Sequence, residues 1–126
     1  MTTSKTIVNA TNEFDKELFK ERVEYWKNKL GLQSWRINVP NGHAPGACAD
    51  CWIDYPGRYA RIRFGRSFGA EEVTAESVDQ TALHEVLHVF LADLINTCHD
   101  KPKQDRLHNA EHQVINILEL LLTSKG

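Results

Sequence analysis

The strongest constraint on this chain is an apolar helix with two histidines set into it. Leu83, Val86, Leu87, Val89, Phe90, Leu91, Leu94 and Ile95 surround His84, Glu85 and His88. A helix that is apolar on nearly every side is buried, and a buried imidazole needs a partner for its ring nitrogens. Residues four apart differ by ~40° in azimuth, so His84 and His88 project side by side from consecutive turns. Two imidazoles so placed can share one zinc ion. Glu85, ~100° round from His84, reaches water beside that ion without ligating it. Hydrogen-bonded core histidines with a surface Glu85 are the simpler alternative.

Three protein ligands and an open position are usual for catalytic zinc, so a third donor is required. His99, His108, Glu111 and His112 follow the motif. The last predicted helix carries an apolar stripe of Val114, Ile115, Leu118, Leu121 and Leu122. Ile115, Leu118 and Leu122 fall within ~40° of Glu111, His108 lies ~60° to one side of it, and His112 lies ~100° round. A carboxylate in the middle of an apolar stripe is costly unless it is paired or binds a metal. Glu111 therefore ranks first as third ligand, with His108 and His112 as the alternatives and as candidate transition-state donors.

Periodicity supplies the frame. Phe14, Leu18, Val23, Trp26 and Leu30 mark one face of an N-terminal helix, with Asn12 or Asp15 as caps and Gly31 as a stop. Trp35 to Pro40 alternates as a half-buried strand does, and Asn41 to Gly46 is loop chemistry. Ala47–Asp54 and Tyr59–Phe64 then read as a hairpin, joined by Tyr55-Pro56-Gly57-Arg58 in type II form. Ser77 to Gln80 has the form of a capping box opening a second helix to about Asn96. After a polar loop at Lys101-Pro102, a third helix runs from about Lys103 to Thr123. The expected fold is one α+β domain over residues 1–126, with the first dozen residues flexible. It has a small antiparallel sheet of about three strands, an N-terminal helix and two C-terminal helices, and the His84–His88 helix is buried.

With these residues in view, the chain resembles the gluzincin metallopeptidases, in which His-Glu-x-x-His on one helix is joined by a Glu from a later helix. The short length, the Leu30-Gly31-Leu32 to Trp35 segment and a hairpin before the motif resemble the single-domain minigluzincins and short phage-encoded metallopeptidases. The resemblance implies one zinc per chain on His84, His88 and Glu111, and hydrolysis of a peptide or protein substrate. Zinc would polarise the carbonyl and acidify water, with Glu85 as general base. Tyr55, Tyr59, His108 and His112 are the candidate oxyanion donors, and the strand Ala47–Asp54 is a candidate for pairing with an extended peptide. One departure concerns Ile115, which stands where these families often place an Asp, so the partner that orients a zinc-bound histidine is unassigned. A histidine as third ligand would resemble the SprT-like proteases, which work near DNA. A non-catalytic binding module on the same fold is the third reading.

Other signals exclude more than they propose. The chain has 126 residues, 25% charged and 41% apolar, with a net charge of −2. That balance gives no field for tracking a phosphate backbone or an anionic membrane, so nothing in it suggests a nucleic-acid partner. No secretory leader is visible behind Lys5, and Ile117 to Leu122 is too short to span a bilayer, so a cytoplasmic protein is expected. The odd count of three cysteines suggests no disulfide framework. Cys48 and Cys51 would point to opposite faces of a strand and read as inert thiols rather than half of a second zinc site with Cys98 and His99. Arg58, Arg61, Arg63 and Arg66 read as a solvated stripe, and Trp26, Trp35 and Trp52 as core or sheet-edge packing.

Overall fold

The computed structural model describes residues 9–96 and 104–123. In order, the elements are α1 (Glu13–Lys29), β1 (Arg36–Asn38), β2 (His43–Ala44), β3 (Ala49–Asp54), β4 (Tyr59–Gly65), α2 (Ala75–Phe90), α3 (Ala92–Asn96) and α4 (Gln104–Thr123). The class is α+β, as expected, with one helix before the sheet and the others after it. No described helix is long and apolar enough to cross a membrane. The flexible start expected over the first dozen residues falls largely outside the described residues, as do Cys98, His99 and the Lys101-Pro102 loop.

The sheet corrects the antiparallel, three-stranded expectation. β3 runs antiparallel along β4, pairing Ala49 with Phe64 and Asp54 with Tyr59. That occupies one edge of β4. Its other edge takes β1 (Ile37 beside Ala60) and β2 (Ala44 beside Gly65), and both run parallel to it. Two reversals separate β2 from β4, one at residues 45–48 and one at the Tyr55–Arg58 turn, so β4 returns in the direction of β1 and β2. Alternation along a strand reports which side chains share a face, and not which strand inserts between which.

The first reversal passes over the end of β4. A Cβ on Gly65 would lie 2.0 Å from the carbonyl oxygen of Ala47, while the Gly65 N–H donates to the Cys48 carbonyl at 2.7 Å. Only glycine admits so close a crossing. At the second reversal the positive φ falls on Arg58 (53°) and not on Gly57 as a type II turn requires. The Asp54 carboxylate folds over the turn and accepts the Gly57 N–H at 3.4 Å.

Three further differences are local. α1 is closed by a capping box between Asn12 and Asp15, and it buries Lys16, Phe19, Val23 and Trp26. Phe14, half a turn (~180°) from Val23, is exposed instead of joining that stripe. α2 starts about three residues early, because Thr74 is the N-cap and Ser77 its N3 partner. The long second helix is also interrupted at Leu91 (φ −92°, ψ 4°), which separates α2 from α3.

The core lies between α1, α2 and the sheet. Phe19 stacks on Phe64 with centroids 4.5 Å apart, and Ile62, Val78, Leu83, Val86, Leu87 and Ile115 are fully buried around them. Asp79 on α2 clamps α1, its Oδ1 accepting from Arg22 Nε and Trp26 Nε1, each at 2.7 Å. α2 is thus packed on α1 and on the sheet, and its remaining side meets α4.

Candidate metal centre

That remaining side carries the histidines. Leu83, Val86 and Leu87 anchor α2 in the core, so His84 and His88, each ~100° round from the leucine before it, face outward toward α4. α4 is held by buried Ile115 and half-buried Leu118, which turns His112 toward them. One nitrogen from each of His84, His88 and His112 lies within 4.8 Å of the other two, close enough for the three to hold a metal ion. Their ring centroids are 5.0–5.8 Å apart.

Each of the three rings has its Nδ1 engaged. His84 Nδ1 pairs with the Glu119 carboxylate. His88 Nδ1 lies 2.8 Å from Glu111 Oε2, and His112 Nδ1 lies 3.2 Å from the His108 carbonyl oxygen. Ionised carboxylates and carbonyls only accept, so the proton in each pair sits on Nδ1. Nε2 is then the nitrogen that each ring has left to ligate among the described residues, which is the arrangement of metal-binding histidines whose far nitrogen is tied to an oxygen.

Glu111, the first-ranked third ligand, is therefore not in the trio. It is buried, as its central azimuth implied, and its charge is met by His88 Nδ1 and by His108 Nδ1 at 3.6 Å. Glu119 was not singled out from the sequence. The available signal was a lone carboxylate breaking the Ile117–Leu122 apolar run, ~20° in azimuth from His112. It holds Nδ1 of His84, a ring for which the sequence offered no partner.

Glu85 is buried beside the trio. Burial pushes its carboxyl up to about 7; His84 pulls the other way, and Asp50 and Glu119 add to the rise. The pair to Glu119 raises His84, whereas burial lowers His88. A cleft of about 460 Å³ opens on the trio, walled by Ala49, Asp50, Cys51 and Ile53 of β3 and by Ile95, Asn96 and His108. A second hollow of about 330 Å³ lies against Glu85 and Glu119, with Cys48, Glu71 and Gln80 among its walls.

The other sequence candidates sit elsewhere. Tyr55 packs near Trp35, and Tyr59 near Trp52 on the sheet's outer face; neither lines the cleft. Cys48 and Cys51 are free thiols, and burial raises both. Arg58 and Arg63 pair with Asp93 and Asp50, and Arg61 lies over Trp52. Trp26 and Trp35 are core, while Trp52 is half exposed.

No protein-family model, curated protein or solved structure matches the chain.

Proposed function

We propose that this chain is a zinc-dependent peptidase with His84, His88 and His112 as the metal ligands and Glu85 as general base. The observation that carries it is the three-fold engagement of Nδ1 by Glu119, Glu111 and the His108 carbonyl. Core histidines without a metal would satisfy both ring nitrogens from protein. Here one nitrogen from each of three rings lies close to the other two, beside a buried carboxylate. Three imidazoles with one position left for water or substrate are a catalytic zinc set.

When bound, zinc supplies Lewis acidity and water of lowered pKa. The chain does the rest. Glu85, with its carboxyl near neutral, takes a proton from the attacking water and delivers it to the departing amine. Glu119 and Glu111 hold the imidazoles of His84 and His88 at one angle, across the α2–α4 interface. β3 pairs only with β4 among the described residues, which leaves an edge on which an extended peptide can add as a strand. Of the oxyanion donors considered, His108 alone lines the cleft and stands outside the trio. Metal analysis of the purified protein tests the reading with cleavage of a peptide library, wild type beside Glu85→Gln. One zinc per chain and activity lost only in the variant support it; a folded protein that refuses zinc sinks it.

The same trio favours a second reading. A histidine third ligand is the SprT-like pattern, which would bring DNA to the protein. Stimulation of cleavage by added DNA distinguishes the two.

A further inference from the structure

The outer side of α4 is uncovered among the described residues. Val114, Ile117, Leu120 and Leu121 are 42%, 58%, 69% and 68% exposed. Leu107, Ala110, Val114, Ile117 and Leu121 follow one another at alternating intervals of three and four residues, which is the a/d spacing of a helix seam. From Leu107 to Thr123 the only carboxylates are Glu111 and Glu119, both turned into the metal centre, and there is no Lys or Arg. A solvated helix face carries mixed charge; depletion of charge around an apolar strip is the mark of an interface core.

We infer that α4 is the seam of a homodimer, in which two copies pack antiparallel through Leu107, Ala110, Val114, Ile117 and Leu121. A second copy is the occupant that fits for two reasons. The strip is free of charge along its length, so a copy of itself meets no repulsion. Its residue sizes also complement each other about a two-fold axis at Val114: Leu107 meets Leu121, and small Ala110 comes within one residue's rise (~1.5 Å) of Ile117. Parallel pairing would set Ala110 against Ala110 and leave a void, which close packing disfavours. The helix is ~30 Å long, so the seam falls at the small end of specific interfaces and association belongs at micromolar concentration. The seam lies ~180° round α4 from His112. Pairing leaves the cleft open, and the inference stands whether or not zinc chemistry occurs there.

Sedimentation equilibrium of the full chain, from micromolar to millimolar, tests it. The wild type should fit a monomer–dimer equilibrium, and the double variant Ile117→Glu, Leu121→Glu should be monomeric with unchanged helical circular dichroism. A Val114→Cys chain should form a covalent dimer on mild oxidation beyond any the wild-type thiols form, whereas Leu121→Cys should not, because the antiparallel axis separates those positions. This cross-link decides the matter if the double variant fails to fold. A wild type monomeric throughout, a dimer that survives the double variant, or a Val114→Cys chain that does not cross-link overturns the inference. So does a monomer whose α4 outer face is protected from hydrogen exchange, which would mean that another part of the chain covers it.

Discussion

Glu119 on α4 pairs with Nδ1 of His84 on α2 across 35 residues of sequence. The pair mirrors that of Glu111 with His88, so both histidines of the motif are oriented by carboxylates from a single helix. Glu119→Gln should weaken zinc affinity by ~10-fold and Glu119→Ala by ~10–100-fold, the usual size of an orienting partner. Competition with a chromophoric chelator reads this directly. Wild-type affinity in both variants would mean that the pair is incidental to metal binding.

Loss of a ligand should cost more than loss of a carboxylate that supports another ligand. His112→Ala should lower zinc affinity further than Glu111→Ala, by at least ~10-fold. The reverse order would return the third position to Glu111 and the site to the gluzincin pattern.

Glu85→Gln keeps the shape of the side chain and removes its basicity. Zinc content should be unchanged, while any peptidase activity falls by ~100-fold or more. If zinc is lost along with activity, Glu85 belongs to the structure of the site.

The same residue gives the metal-free protein a pH dependence. Its carboxyl rises from 4.5 to about 7 on folding, so the folded state binds the extra proton. The stability this contributes is fully present below pH 4.5 and is lost as pH rises through about 7. Glu85→Gln should therefore stabilise the apo-protein at pH 8 by about 1–3 kcal/mol relative to wild type, and by much less at pH 5. Thermal melts in chelator at the two pH values check the sign; an equal effect at both contradicts it.

Gly65→Ala should destabilise the fold by about 2–3 kcal/mol, because the Ala47 carbonyl occupies the space of the new methyl and backbone must move. A fall in Tm of about 10 °C is the corresponding readout. A neutral substitution would show that the β2–β3 crossing shifts freely.

Much of this protein is legible in local sequence. The i, i+4 spacing of His84 and His88 on an apolar helix sets two donors side by side whatever packs around them. Asn12, one of the two caps expected, opens α1, and the Tyr55–Arg58 turn makes the β3–β4 hairpin. Each of these depends on residues within one or two turns of one another. The burial of Glu111 was legible too, from its place among Ile115, Leu118 and Leu122.

What that buried carboxylate does was not legible. Glu111, His112 and Glu119 all lie within about 100° on one helix, so any of them can face α2 depending on a modest rotation of α4. The packing of Ile115 and Leu118 against the body sets that rotation. It turns His112 toward the trio and leaves the two carboxylates on the Nδ1 atoms of His88 and His84. Likewise, the sequence shows strands but not their order. The insertion of β4 between β1 with β2 on one edge and β3 on the other depends on a chain crossing at Gly65. Contacts between elements far apart in the chain decide such choices, because helical and strand periods specify a face and leave its partner open.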